Sequence, residues 1–460
     1  MDAYLLIDFG STFTKLTLVD VENEVIIATD KSYTTVETDV TIGYENALEN
    51  LNKKVTGNYN IVKRLACSSA AGGLKIIAIG LVPELTAEAA KRAALGAGAR
   101  VIKTYSYNLN NEELEEIKVT NADMILLAGG TNGGNSDCIL HNARMLSKYE
   151  IKIPIVVAGN KSCNDEVKEA FGDKIEYYVT ENVMPTLNHI NVEPARETIR
   201  NIFMEKIVHA KGMENIESSI SGILMPTPAA VLKAAEVLSM GTRDEDGIGD
   251  LAVIDIGGAT TDVHSIGEGA PSKPSVLLRG LEEPHSKRTV EGDLGMRYSA
   301  MSVFDVAGTK IMKKYLKNTE FEIENEFKNR YENTSFIAKT VKELDFDEAM
   351  GKVCANISMK RHAGFVEPIY SPMGMMYSQE GKDLMEIPFV LGTGGVIVNS
   401  ENPKDILEAS SFTMEDPTSL KPTHPKYLLD KEYILSAMGL LAMIDDNKAV
   451  RMLKKYIVEI

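Results

Sequence analysis

The sequence is poor in the residues that build disulfides and metal sites. It has four cysteines, none in CxxC spacing, and seven histidines without an HxxxH pair. A long chain with so few cysteines and no secretion signal is typical of proteins whose thiols stay reduced. We therefore expect Cys67, Cys138, Cys163 and Cys354 to be free thiols. The missing histidine pair argues against a zinc site.

The chain also lacks positive charge and long apolar runs. Lys and Arg number 49 against 66 Asp and Glu, a formal net charge of −17. A surface this acidic repels phosphate backbones, so we expect no nucleic-acid partner. No apolar stretch reaches the length of a membrane span, and Met1-Asp2-Ala3 begins no basic, apolar signal peptide. We expect a cytoplasmic protein without a membrane partner.

The chain has the length and composition of a folded, multidomain protein. It contains 460 residues, of which 44% are hydrophobic and 25% charged. This balance is typical of folded proteins, and the length predicts two or three packed units.

One short pattern occurs twice. An apolar strand, Tyr4–Ile7, runs into Asp8-Phe9-Gly10-Ser11-Thr12-Phe13-Thr14-Lys15, and Leu251–Ile254 runs into Asp255-Ile256-Gly257-Gly258-Ala259-Thr260-Thr261-Asp262. The copies align without a gap, with an offset of 255 − 8 = 247 residues. A strand, an acid, a small-residue turn and a return strand predict a β-hairpin whose tip is mostly backbone. One copy is typical of an ordinary tight turn, but two copies a domain length apart indicate a duplicated functional element.

Such tips suit a polyphosphate. Glycine lets phosphate approach the backbone amides, and the aspartate is placed to hold hydrated Mg²⁺ or to orient water. We expect Asp8 and Asp255 to be the catalytic acids and the ligands of Mg²⁺ through water. The candidate phosphate-binding residues are Gly10, Ser11, Thr12, Thr14, Lys15, Gly257, Gly258, Thr260 and Thr261. For Lys15, a plain surface charge is an equally good interpretation.

A third element is a glycine loop near the C-terminal end of the chain. The apolar run Ile387–Leu391 ends in Gly392-Thr393-Gly394-Gly395, where a base and ribose could lie against the backbone. The loop is neither GxGxxG nor GxxxxGK[ST], so a dinucleotide fold and a P-loop are set aside.

The order of hairpin, hairpin and glycine loop resembles the superfamily of acetate and sugar kinases, heat-shock ATPases and actin. By that resemblance the three elements are its two phosphate motifs and its adenosine motif. It implies an α/β, two-lobed, actin-like ATPase fold, built of duplicated ribonuclease H-like lobes with a large α/β insertion in the first half. ATP and Mg²⁺ are the implied cofactors, bound in the cleft.

The domain limits follow from this order. We expect a first lobe at 1–245 with an inserted subdomain at about 59–245, and a second lobe at 246–400. A C-terminal helical segment at 401–460 would pack back on the first lobe. Within the insertion, we expect Thr86 to cap a helix from Ala87 to Leu95. The loop Gly129–Asn135 follows an apolar strand and fits either a tight turn or a ligand or partner loop.

Several longer strings carry a closer resemblance. They are Glu181–Pro185, Asn188–Ile190, Pro194–Arg196, Arg288–Arg297, Gly381–Leu384 and Tyr433–Leu440. They resemble the accessory protein encoded beside adenosylcobalamin-dependent glutamate (methylaspartate) mutase, and the resemblance covers essentially the whole chain. The implied role is an ATP-driven reactivase or chaperone that acts on the mutase subunits and releases damaged cobalamin. The sequence also allows a homodimer.

Other functions stay open. A small-molecule kinase shares this cleft but needs an acceptor pocket and a base, and we identify neither. An activator of a radical dehydratase would need a shared iron–sulfur cluster, for which Cys138 and Cys163 are the candidates. A non-hydrolysing assembly factor would bind ATP without turnover.

Two further groups have no assigned chemistry. Arg288, Glu291, Asp293 and Arg297 would line the cleft, face the partner or form a solvated turn. Pro372-Met373-Gly374-Met375-Met376 is best interpreted as packing in a core or an interface.

Overall fold

The computed structural model describes residues 2–10, 12–34, 40–55, 57–69, 74–204, 223–272, 276–317, 320–371 and 374–460. Ser11, Pro372 and Met373, named above, lie outside these ranges. The chain divides into two compact units. Unit 1 holds Met1–Asp20, Ile26–Ala229 and Gly280–Pro284, and unit 2 holds Val21–Val25, Ala230–Arg279 and His285–Ile460.

The strands of the described chain are β1 (Asp2–Phe9), β2 (Phe13–Asp20), β3 (Val25–Tyr33), β4 (Asn60–Ser68), β5 (Lys75–Gly80), β6 (Arg100–Ser106), β7 (Met124–Leu127), β8 (Ile155–Val157), β9 (Tyr177–Val179), β10 (Ile223–Pro226), β11 (Leu251–Ile256), β12 (Thr261–Ile266), β13 (Val276–Arg279), β14 (Ser286–Glu291), β15 (Phe365–Ser371), β16 (Gly374–Glu380), β17 (Phe389–Thr393), β18 (Lys426–Leu429) and β19 (Val458–Glu459).

The α-helices of the described chain are α1 (Val40–Lys54), α2 (Glu88–Gly96), α3 (Asn111–Val119), α4 (Asp137–Lys148), α5 (Asn164–Phe171), α6 (Glu193–Ile202), α7 (Thr227–Met240), α8 (Ala300–Tyr315), α9 (Ile323–Glu332), α10 (Val341–His362), α11 (Gly395–Val398), α12 (Pro403–Glu408), α13 (Leu435–Ala442) and α14 (Asp446–Tyr456).

The main sheets of the two units have one strand order. In unit 1 the order is β3-β2-β1-β4-β10, with β1 and β2 antiparallel and β4 and β10 parallel to β1. In unit 2 it is β14-β12-β11-β17-β18, extended by β19, with β12 antiparallel to β11 and β14, and β17 and β18 parallel to β11. Counted within each sheet, both read 3-2-1-4-5. This repeated topology confirms the predicted α/β fold of duplicated ribonuclease H-like lobes.

The predicted α/β insertion is also confirmed. Strands β5 to β9 lie between β4 and β10 in the chain and form their own parallel sheet, in the order β6-β5-β7-β8-β9. Apolar strands such as Met124–Leu127 are fully buried, as expected for a parallel sheet with helices on both faces.

The predicted cap at Thr86 is wrong. A π-helical turn, Pro83–Ala87, precedes α2, and the Thr86 hydroxyl accepts hydrogen bonds from the amides of Leu81 and Val82. The side chain therefore closes the loop after β5 and does not cap the helix. Local sequence cannot separate these two uses, because a threonine hydroxyl serves loop and helix amides equally well.

Unit 2 also contains a long helix and a second, smaller sheet. Helix α10 begins with a capping box between Thr340 and Glu343 and packs on β11, β12 and β14. Strands β13, β16 and β15 form a separate three-stranded sheet in that order.

Candidate nucleotide-binding site

The predicted first hairpin is formed by β1 and β2 in unit 1. Asp8 stands opposite Lys15 and Phe9 opposite Thr14, and the Gly10 amide donates to the Phe13 carbonyl at 3.1 Å. A Cβ at Gly10 would lie 2.6 Å from that carbonyl oxygen, so the turn requires glycine. The tip is therefore as tight as the sequence predicts.

Asp8 is held by several neighbours at the end of β1. The Thr227 hydroxyl donates to Asp8 Oδ1 at 2.7 Å, and Lys15 Nζ lies 3.3 Å from Oδ2. The Cys67 thiol also donates to Oδ1, at 3.7 Å, and burial together with the Asp8 charge raises the pKa of that thiol well above its usual range. Cys67 is thus a neutral thiol that supports the carboxylate.

Two threonines of this hairpin differ in their surroundings. The Thr14 hydroxyl is buried and shares a 3.1 Å hydrogen bond with the Thr34 hydroxyl. Thr12 Oγ1 is buried, and no partner for it exists in the described part of the chain. A buried hydroxyl without a partner is costly, so Thr12 is the one of the two better placed to bind a ligand oxygen.

The second hairpin lies in unit 2 and repeats the geometry of the first. Asp255 stands opposite Asp262 and Ile256 opposite Thr261, and the Gly257 amide donates to the Thr260 carbonyl at 2.9 Å. Every pairing matches the first hairpin at the offset of 247 residues noted above, which confirms the duplication at the level of register.

The loop Gly292–Ser299 lies behind the second tip, and we name it the backing loop. Its amides at Met296, Arg297 and Tyr298 donate to the carbonyls of Gly257 and Gly258 at 2.7–3.0 Å.

The backing loop makes three more contacts with the tip. The Ser299 hydroxyl donates to the Ala259 carbonyl at 2.7 Å, and the Thr261 hydroxyl donates to Leu294 O at 2.6 Å. A Cβ at Gly295 would lie 2.4 Å from the Ala259 carbonyl carbon, so this close approach needs glycine. The carbonyls of the tip thus accept hydrogen bonds from the backing loop. The amides of Gly258 and Ala259, in contrast, donate to no acceptor among the described residues. Such paired free amides suit an anion.

The charged string that begins at Arg288 forms ion pairs within unit 2. Arg288 binds Asp262 Oδ1 through Nε at 2.8 Å and Nη2 at 2.5 Å, and this pair is buried. Arg297 Nη2 binds Asp347 of α10 at 2.9 Å, which fixes the backing loop to the helix. Arg361 binds Glu291 and Asp293, each at 2.7 Å.

The glycine loop lies beside the second hairpin. Strand β17 pairs with β11 so that Thr393 stands opposite Asp255. Gly394 has φ +96°, and a Cβ there would lie 2.4 Å from the Ile256 carbonyl oxygen. Gly395 is exposed with open space at its Cβ position, which suits a ligand, whereas Gly392 packs against Leu407. Parallel pairing of β11 and β17 thus places the second hairpin and the glycine loop at the carboxyl ends of neighbouring strands.

Two groups near these loops were not predicted. The Thr393 hydroxyl donates at 3.0 Å to Asp430, whose carboxylate also accepts the amides of Ile434 and Leu435. Thr227 reaches Asp8 from the start of α7, and the string Met225-Pro226-Thr227-Pro228 after an apolar run is the only sequence signal for it. Among the described residues, no group of three or more His, Cys, Asp or Glu side chains could hold a metal ion.

The loop Gly129–Asn135 of the insertion is held by two buried asparagines. Asn160 accepts from the Gly133 amide at 3.0 Å and donates to the carbonyls of Gly134 and Asn135. Asn182 donates to the Gly130 carbonyl at 3.0 Å. These bonds fix the conformation of the turn, and a ligand or partner role for the loop stays a prediction.

Comparisons with known proteins identify the family. The family model described as MutL protein matches residues 4–457. The chain belongs to the MutL protein family. A curated MutL protein from Clostridium tetanomorphum is 63% identical over 463 residues, which cover 100% of both chains. The family resemblance drawn from the sequence is confirmed.

Solved structures show more distant likenesses to this MutL-family chain. One is an activator of 2-hydroxyisocaproyl-CoA dehydratase from Clostridium difficile with bound ADPNP, at 12% identity and TM-score 0.31, covering 98% of this chain and 97% of that one. Another is a ligand-bound xylulose kinase from Lactobacillus acidophilus, at 10% identity and TM-score 0.33, covering 100% and 93%. TM-scores this low carry no inference, and the strand orders of the two main sheets define the fold. No described helix is both long and apolar enough to cross a membrane.

Proposed function

We propose that this chain is an ATP-binding accessory protein of adenosylcobalamin-dependent glutamate mutase, and that it uses ATP to release damaged cobalamin from the mutase. The duplicated hairpin is the observation that carries the ATP-binding part. Membership of the MutL family supports the accessory role.

In unit 1, the proposed roles follow from the contacts of the first hairpin. Asp8, oriented by Thr227 and Lys15, would hold a hydrated cation. The Thr12 hydroxyl and amide would bind phosphate oxygens, and Ser11 and Lys15 stay candidates for the same role.

In unit 2, the free amides of Gly258 and Ala259 would bind the terminal phosphate, with Asp255 orienting a water. Gly394 and Gly395 would receive the base and ribose. The hydroxyls of Thr14, Thr261 and Thr393 already bond to protein groups, so we propose that they shape these loops.

Mg²⁺ fits the donor set described here. Magnesium in nucleotide sites is held by one or two carboxylates plus phosphates and waters, so a full protein cage is not needed. Asp8 and Asp255 each supply one carboxylate at a strand end. When bound, the ion would neutralise charge on the phosphates.

The first test compares ATP turnover in Asp8→Ala and Asp255→Ala with wild type. We expect a loss of ~10²-fold or more, since each change removes a charge-placing group. Asp173→Ala, an exposed acid of the insertion, is the matched control. Unchanged phosphate release in both variants would contradict the site.

The second test addresses the accessory role. ATPase activity is measured with and without glutamate mutase inactivated at its cobalamin, and cobalamin release is followed by its absorbance. We expect release only with wild-type protein and ATP. A phosphorylated metabolite formed from a substrate library would instead support a kinase.

A dehydratase activator is less well supported. Cys138 and Cys163 are both buried, and burial raises the pKa of each thiol. Two buried neutral thiols do not suit a cluster shared with a second protomer at a surface.

A further inference from the structure

The three-stranded sheet β13-β16-β15 of unit 2 is exposed and has no role in the proposed function. Val276 stands opposite Tyr377, Leu278 opposite Gln379, and Tyr370 opposite Met375. Residues directly opposite lie on the same face of a sheet. We name as the apolar face the side chains that this register puts on one side: Val276, Leu278, Val366, Tyr370, Met375 and Tyr377.

Exposure on this face rises from the base of the β15–β16 hairpin toward its tip. Gln379, at the base, is 1% exposed and donates to the carbonyls of Gly269 and Gly381. Tyr377 is 39% exposed, Met375 57% and Tyr370 84%. The hairpin is thus anchored at one end and carries large apolar side chains into solvent at the other.

The apolar face is uncharged. Pro368 and Gln379 complete this side of the sheet, and neither is charged. The opposite side carries Arg279, Glu367 and Glu380. A chain of net charge −17 thus keeps one exposed surface free of acids. Exposed apolar surface rich in tyrosine and methionine marks protein contacts.

We propose that a second copy of this chain packs on the apolar face, so that the protein is a homodimer related by a two-fold axis. In an isologous contact the same patch lies on both sides, so acidic side chains close to the two-fold axis would meet their own copies and repel. A face without acidic side chains therefore lets two copies of so acidic a chain pack together without that repulsion. A basic partner would instead be matched by acidic side chains, and this face has none.

The mass of the full chain in solution tests the proposal. Sedimentation equilibrium over a concentration series should give twice the 50.4 kDa of the monomer. Leu278→Glu and Tyr370→Glu should each weaken the dimer by on the order of 100-fold or more, since the two-fold axis would bury two like charges. Val119→Glu, which changes an exposed valine of the insertion, should keep the dimer.

A cross-linking experiment does not rely on destabilising variants. All four native cysteines are buried, so Tyr370→Cys would present the reactive thiol. A short bis-maleimide should join two copies of Tyr370→Cys at micromolar concentration, and should not join copies of Val119→Cys.

Three results would overturn the proposal. They are a monomeric wild type at every concentration, a dimer that both glutamate variants retain, and equal cross-linking of the two cysteine variants. If wild type is monomeric and Tyr370→Glu loses only its response to the mutase, the face binds another protein. Nucleotide affinity should not change in any of these variants, which keeps this test separate from that of the ATP site.

Discussion

The two hairpins use different residues to compensate the charge of their acids. In the first, Lys15 stands opposite Asp8 and neutralises it. In the second, Asp262 stands opposite Asp255, and Arg288 compensates Asp262. The Asp8–Lys15 pair lies within one hairpin, so the pairing of its two strands is enough to predict it. The Asp262–Arg288 pair could not be predicted, because Arg288 comes from β14, far from the hairpin in sequence.

Removal of Arg288 should therefore destabilise unit 2. Arg288→Met would leave Asp262 charged and nearly buried beside Asp255, at a cost of about 3–5 kcal/mol in the free energy of unfolding. The double variant Asp262→Leu/Arg288→Met should recover most of that loss, since it removes both charges. Urea unfolding followed by circular dichroism measures both. Equal stability of the single and double variants would show that the pair is not coupled.

His264 should make unit 2 sensitive to acid. Its ring is buried, and neither nitrogen has a hydrogen-bond partner in the described part of the chain. Burial, and then the Arg288 charge, lower its pKa from 6.5 to about 3, against a raising effect of Asp262. The unfolded chain binds this proton below pH 6.5 and the folded chain does not, so stability falls between pH 6.5 and about 3.

His264→Leu should flatten this dependence by about 1.4 kcal/mol per pH unit within that window, and should cost little at pH 7. Urea midpoints between pH 7 and 5 give the slope. His424→Leu changes an exposed histidine and serves as the control. Parallel slopes for wild type and His264→Leu would contradict the assignment.

Among the elements, those built from contiguous sequence could be predicted. Each hairpin is one local pattern of apolar strand, acid and glycine, and the structure confirms both hairpins. The backing loop could not be predicted, since Leu294 reaches Thr261 across 33 residues. The exposed sheet could not be predicted for the same reason, because β13 pairs, among the described strands, only with the distant β16.

Gly295 is where the backing loop can be tested. Gly295→Val would place side-chain atoms where even a Cβ lies 2.4 Å from Ala259 and would displace the second tip. We expect nucleotide affinity to fall by on the order of 10-fold or more, with an overpacking cost of about 1–3 kcal/mol. Binding of a fluorescent ATP analogue and thermal unfolding are measured together. Met296→Leu keeps the volume and should keep affinity, and an unchanged affinity in Gly295→Val would show that the loop does not set the tip.

For the whole molecule, the fold class was implied by the superfamily resemblance of the two hairpins and the glycine loop, and the strand orders of both units confirm it. The domain limits 1–245, 246–400 and 401–460 stay predictions. Neither compact unit is continuous in sequence, because unit 1 includes Gly280–Pro284 and unit 2 includes Val21–Val25. Sequence patterns cannot reveal the placement of such short segments, because it depends on contacts that are remote along the chain.

From the proposed function we predict that the two hairpins bind the same nucleotide. Because the hairpins belong to different units, a shared ligand would link their stabilities, whereas separate sites would not. With Mg²⁺ and with ATP at a hundredfold excess over Kd, the free energy of opening measured by hydrogen exchange should therefore rise by about 2.7 kcal/mol. The rise should occur at the amides of both β1–β2 and β11–β12. Asp8→Ala should abolish this protection in both hairpins, and Asp255→Ala should do the same. Protection lost only in the mutated hairpin would mean that each unit binds its ligand alone, and the proposal of a single shared nucleotide would then be wrong.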